Sequence, residues 1–206
     1  MFKILITSFC LLVISFASLV FAGDIPPSSI ICAPRLQQCL RTIQKMPEAQ
    51  ELIASIQQEG PIRIAVNSHA LSNQFGAYWD MEDRVIFVSL SAHSSEGELI
   101  ASILFELHNA SIDSKLNYFD YLASTGQIDK ESYVRSIEFL EYRNSKNASK
   151  IAEKGIKLGI FPPNARLNTY ENFEEHYHYQ KIGGHSAWIA KTFDQIAPKK
   201  ITASNR

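Results

Sequence analysis

The densest chemistry in the chain lies at Glu174-Glu175-His176-Tyr177-His178, followed closely by Gly183-Gly184-His185. Carboxylate and imidazole are donors that a zinc-class cation accepts. His176 and His178, two residues apart, suit a chelate on a strand or loop. On a helix turning about 100° per residue they diverge by about 200°, and only Glu174 and His178, at i and i+4, share a face. Gly183 and Gly184 allow the chain to bend His185 back towards that pair, which would complete a Glu/His/His set. The same segment also reads as a solvated helix with Phe173, Tyr177 and Tyr179 docked on a core.

A second site of interest is a carboxylate inside an apolar run. Ser95 and Glu98 form a capping-box signature ahead of LIASILFELHNA, which predicts a helix over 98–110. On a wheel, Leu99, Ile100, Ile103, Leu104, Leu107 and Ala110 fall within an arc of about 140° and form its core stripe. Ser102, Phe105, Glu106 and Asn109 look the other way, so the helix is expected to be packed on two sides. A buried charge needs a partner or a function, which singles out Glu106. Downstream, Asp129 caps a long helix from Lys130 to about Lys157. Glu141 lies inside its stripe of Tyr133, Val134, Ile137, Leu140, Ala148, Ile151 and Ala152, and Glu138 lies at the edge.

A hairpin with an aromatic-rich strand, a short polar connection and a helix reading Leu-Phe-Glu-Leu-His-Asn-Ala resembles the active-site unit of the zincin metallopeptidases. Their helix carries HExxH, in which two histidines bind zinc and the glutamate activates the bound water. Aligned on Glu106, the window here is Phe105-Glu106-Leu107-His108-Asn109. The resemblance therefore makes Glu106 the general base and leaves both histidine positions changed, to Phe105 and Asn109, which would line the cleft. His108 is out of register by about 100°. The gluzincin branch takes its third ligand from a glutamate on a following helix, for which Glu141 or Glu138 is the candidate. The resemblance spans about Phe75 to Glu141.

These residues need a frame, and the sequence outlines an α+β one. Helices are expected over 34–45 and 47–58, the second opened by Pro47 and closed by Gly60. IRIAV (62–66) reads as a strand, and FGAYW (75–79) and VIFVSL (85–90) read as a hairpin around DMEDR. From there the pattern is helical, with FPPNAR (161–166) as a loop and helices near 171–181 and 186–196. A small early β-sheet followed by a mainly helical half is the expected fold, with a zincin-like core implied by the resemblance.

Met1-Phe2-Lys3 and the uncharged run Ile4 to Ala22, ending Val20-Phe21-Ala22, read as a secretory signal peptide (1–22) ahead of one domain, 23–206. The expected location is thus exported, periplasmic or secreted, with a bacterial source preferred and no stable membrane insertion after cleavage. In an oxidising compartment Cys32 and Cys39 are expected to pair. On one helix their Cα atoms would stand about 10 Å apart, too far for a bridge, but Pro34 favours a helix that starts after Cys32.

The chain of 206 residues carries 20 Lys+Arg against 21 Asp+Glu, without the basic face that nucleic acid requires. No G-x-S-x-G elbow, P-loop or dinucleotide fingerprint occurs. Sequons stand at Asn109-Ala110-Ser111 and Asn147-Ala148-Ser149. The leading expectation is an exported zincin-like protein that has lost its metal site, needs no cofactor and binds a protein or peptide partner. One alternative is a metal-dependent hydrolase, a peptidase, that uses Glu106 as base and zinc held by residues drawn from Glu138, Glu141, His176, His178 and His185. A further alternative is a secreted helical structural or partner-binding protein unrelated to zincins.

Overall fold

The computed structural model describes residues 30–67, 76–90 and 94–198. The expected signal peptide lies outside them, as does Phe75. Among the described residues four strands form one sheet: β1 (Ile31–Cys32), β2 (Arg63–Asn67), β3 (Ala77–Asp80) and β4 (Val85–Ser89), in the order β1-β2-β4-β3. β1, β2 and β4 run parallel, and β3 lies antiparallel to β4. Parallel strands need a crossover, and α1 (Gln37–Ile43) and α2 (Pro47–Gln58) supply it between β1 and β2. The chain then leaves β2, makes β3 at the sheet end and turns back through Asp80–Arg84 to insert β4 between them. Tyr78 faces Phe87 across this hairpin, with ring centroids 5.1 Å apart.

α3 (Glu96–Ala110) follows, opened by a complete capping box between Ser95 and Glu98. Then come α4 (Asp113–Ser124), α5 (Lys130–Lys157), α6 (Phe173–Gly183) and α7 (His185–Ile196). The α+β class is as expected, and α2 and α5 match their sequence boundaries. The two-residue strand β1 and helix α4 add to the outline. The first expected helix opens with a 3-10 turn at Pro34–Leu36. No helix among the described residues is long and apolar enough to cross a membrane.

Two apolar clusters result, and α5 belongs to both. Its later part (Ala148, Ile151, Ala152) packs with the sheet, α1, α2 and the Ile100, Ile103, Leu104, Leu107 and Ala110 stripe of α3. Its earlier part (Tyr133, Val134, Ile137) packs with α4, α6 and α7 through Ala123, Tyr177 and Ile189. Between the two stretches α5 carries Glu138, Glu141 and Asn144, so the polar residues fall where the clusters meet.

The expected disulfide is not formed: Cys32 and Cys39 are free thiols. Cys32 sits in β1, with its Sγ 3.6 Å from the Ala33 carbonyl oxygen, while Cys39 faces into the main core from α1. Burial pushes the Cys32 thiol up to about 11, with the neighbouring Cys39 adding to the shift, and burial raises the Cys39 thiol as well.

The start of α3 is placed by a close approach. A Cβ on Gly97 would lie 2.1 Å from Asn164 Oδ1 and 2.6 Å from the Ala165 backbone nitrogen. Gly97→Ala is therefore expected to destabilise the protein by about 1–3 kcal/mol. Gly183→Ala meets nothing within 4 Å, and in a helix it should be neutral or stabilising by up to about 1 kcal/mol. Urea midpoints of the two variants check the contrast. Equal midpoints would mean that the α3 start is not fixed by this contact.

Candidate functional site

Of the polar residues on α5, Glu141 opens into a cleft of about 790 Å³ between the two apolar clusters. Its lining includes Trp79 of β3, Phe105, Glu106 and Asn109 of α3, Glu141 of α5 and His185 of α7. The face of α3 that turns away from its core stripe is thus the face that lines the cleft.

Glu138 stands behind the cleft wall with no solvent exposure. Its Oε1 accepts from Ser186 Oγ at 2.6 Å and from His185 Nδ1 at 3.1 Å, and its Oε2 accepts from His176 Nε2 at 3.3 Å. Burial works against the charge, but the hydrogen bonds from His176, His185 and Ser186 outweigh it and hold this carboxyl down at about 2. The wheel placed Glu138 at the edge of the buried stripe and Glu141 inside it. The structure reverses that order, because α6 and α7 cover the Glu138 side of α5, while the Glu141 side chain keeps 17% exposure towards the cleft.

His185 bridges the two glutamates. Its Nε2 lies 3.5 Å from Glu141 Oε2, opposite the Nδ1 contact to Glu138. Desolvation disfavours its charge, yet Glu141 and Glu138 together raise the imidazole to about 9. Glu141 is itself raised by burial, with His185 opposing the shift. Donor atoms of Glu138, Glu141 and His185 lie within 4.8 Å of one another, a grouping that could hold a metal ion.

Glu106 faces this group from α3. Its Oε2 accepts from Asn109 Nδ2 at 3.0 Å, and the Asn109 Oδ1 accepts in turn from Asn144 Nδ2 at 2.8 Å. Burial drives the Glu106 carboxyl up to about 8. The Asn109 amide and the backbone amide of Trp79 oppose that shift, Glu141 adds to it, and His185 counters it. Trp79 is in turn anchored, its indole Nε1 donating to Asp113 Oδ1 at 3.1 Å while Arg84 reaches Asp113 Oδ2 at 3.3 Å. Arg84 takes this position from a left-handed backbone, φ 51°.

The His/Glu segment divides because it is helical. His176 turns in to Glu138, whereas His178 is exposed and packs edge-on against Tyr179. Glu174 is also outside, paired with Arg135. The set of Glu174, His178 and His185 is therefore not assembled. His185 is brought in from α7 by Gly184, whose φ of 86° turns the chain between the two helices. His108 lies away from the cleft lining. Its Nε2 is buried without a hydrogen-bond partner among the described residues, and burial depresses the imidazole to about 4. Ser186, Asn144 and Trp79 were not among the expected site residues. Only their tertiary placement marks them, apart from the helical spacing of Glu138, Glu141 and Asn144 at three-residue steps.

The raised Glu106 carboxyl makes a pH-dependent prediction. Both folded and unfolded states are protonated well below 4.5, but as pH rises towards 8 the unfolded state ionises first. Wild type should lose stability over that window at about 1.4 kcal/mol per pH unit from this group. In chelator-treated protein, Glu106→Gln should therefore gain on wild type between pH 4.5 and 8, as read by urea midpoints. A constant difference would show that Glu106 is ionised in the folded protein.

Compared with protein families, curated proteins and solved structures, the chain matches none of them.

Proposed function

We propose that the cleft is the centre of a metal-dependent hydrolase, with a zinc-class cation held by Glu141 and His185 and with Glu106 facing it from α3 as the general base. The observation that carries this reading is the 3.5 Å separation of His185 Nε2 and Glu141 Oε2. Two ligands about 2.0–2.1 Å from a tetrahedral zinc lie about 3.3 Å apart. The electrostatics support the same reading. Glu106 and Glu141 are both raised by burial, each is countered by His185, and Glu141 adds to the shift of Glu106. Buried carboxylates so placed call for a cation or a proton.

Bound zinc supplies a water of lowered pKa and polarises a substrate carbonyl. The chain's own residues supply the rest. His185 must give up its imidazolium proton to become a ligand, and Glu106 must give up its carboxyl proton. Asn109 and the Trp79 amide keep the Glu106 carboxylate fixed, and the rings of Trp79 and Phe105 form apolar walls that restrict water. An amide or ester bond carried by an extended segment suits a cleft of this volume. In this arrangement Glu106 keeps the role of base that the zincin resemblance gives it.

A second reading is favoured by the Asn144–Asn109–Glu106 chain. Asn109 occupies one of the two histidine positions of the zincin pattern and bonds to Glu106. A centre permanently closed in this way would leave the cleft as a binding site for a protein or peptide partner.

Metal content separates the two. Protein purified without chelator or metal-affinity resin is expected to carry about one zinc per chain, and the Glu106→Gln, Glu141→Gln double variant is expected to carry none. Peptidase activity should disappear with chelator and return with zinc. A metal-free wild type that takes up no zinc on titration would sink the hydrolase reading and leave the binding one.

A further inference from the structure

We infer that Glu138 is a positioning residue that orients His185 towards the metal and is not itself a ligand. This rests on the centre proposed above and assigns a role that the grouping of donor atoms alone does not. Donor atoms of Glu138, Glu141 and His185 all lie within 4.8 Å of one another, so proximity does not distinguish a ligand from its support. Hydrogen bonding does. Both Glu138 oxygens are engaged, one by Ser186 and His185 and the other by His176, and the residue has no solvent exposure. A cation on Glu138 would have to displace hydrogen bonds that already occupy both of its oxygens, one of them from the buried Ser186 hydroxyl.

The same bonds fix which face of His185 is offered. An ionised carboxylate only accepts, so the Nδ1–H of His185 is held on Glu138 and Nε2 is directed to Glu141. The carboxylate is itself immobilised. His176 is held among the rings of Tyr142, Tyr170 and Phe173, with centroids 5.6, 5.5 and 6.4 Å from its own. Ser186 follows His185 directly at the start of α7, so a single turn of that helix presents both the ligand and a clamp for the group that orients it. Carboxylates that bond the far nitrogen of a metal-bound histidine act in this way, and their loss weakens metal binding by about 10- to 100-fold.

The test compares zinc affinity of wild type and Glu138→Gln by competition with a chromophoric chelator, alongside the visible spectrum of cobalt in each. Zinc should bind about 10- to 100-fold more weakly to the variant, while the cobalt bands keep their positions and intensities because the ligands are unchanged. Unchanged affinity would overturn the positioning role, and a cobalt spectrum altered by loss of a ligand would make Glu138 part of the first coordination sphere. A measurement on wild type needs no variant to fold. In the zinc-loaded protein labelled with 15N-histidine, His185 should show a protonated Nδ1 and a metal-bound Nε2, and the reverse tautomer would overturn the assignment. Failure of wild type to bind zinc at all would remove the centre itself together with this role, whereas equal binding by both proteins would remove the role alone.

Discussion

A carboxylate cannot be sealed inside a protein unless every acceptor site it exposes is answered, and the helical half of this chain is arranged around one such group. Glu138 on α5 receives its donors from α6 and α7, so the requirement to satisfy one buried charge fixes the seating of three helices. The alternative, a protonated or solvated Glu138, would need either a different hydrogen-bond pattern or a gap between α5 and α7. Hydrophobic contacts alone would leave α6 and α7 free to slide along α5, because apolar packing is nondirectional. The three hydrogen bonds remove that freedom.

The same helix solves a second problem. A 28-residue helix buried along one apolar stripe would fuse its two packing partners into one core. Here the stripe is interrupted by Glu138, Glu141 and Asn144, and the interruption leaves an open space flanked by apolar mass on both sides. Such a place has a low local dielectric, which explains why carboxyls on the packed helices α5 and α3 behave oppositely. Glu138, with three donors, is held as an anion. Glu106, whose burial the Asn109 and Trp79 amides only partly compensate and which stands near another acid, is held as an acid. Environment, not residue type, sets the division.

Much of this frame could be read from the chain because it rests on local signals. The capping box, the Asp129 cap, Pro47 at a helix start and the alternation around a turn each act within a few residues, and they mark α2, α3, α5 and the hairpin. The division of α3 into a core face and a cleft face was also legible, since helical periodicity places Phe105, Glu106 and Asn109 together without knowledge of their neighbours. What was not legible depends on contacts across tens of residues. β1 is two residues long and exists only because β2 pairs with it. The burial order of Glu138 and Glu141 turns on where α6 and α7 land. The exclusion of His178 and the inclusion of His185 follow from a backbone reversal whose direction a pair of glycines permits but does not specify. The unbridged cysteines belong to the same class, with one thiol in a strand and the other on the core face of the following helix.

The left-handed residue between α6 and α7 has a consequence for how the chain can vary. His176 and His185 approach the same carboxylate from consecutive helices, and the only irregular backbone between them is Gly184. Adding or deleting one residue there would turn His185 by about 100° around the axis of α7 and carry Ser186 with it. The exposed positions of α6, His178 among them, face no such restriction. This stretch is therefore tolerant in composition and intolerant in length, and lineages of the protein should accumulate substitutions along the outer face of α6 while keeping the count of residues from His176 to His185 constant.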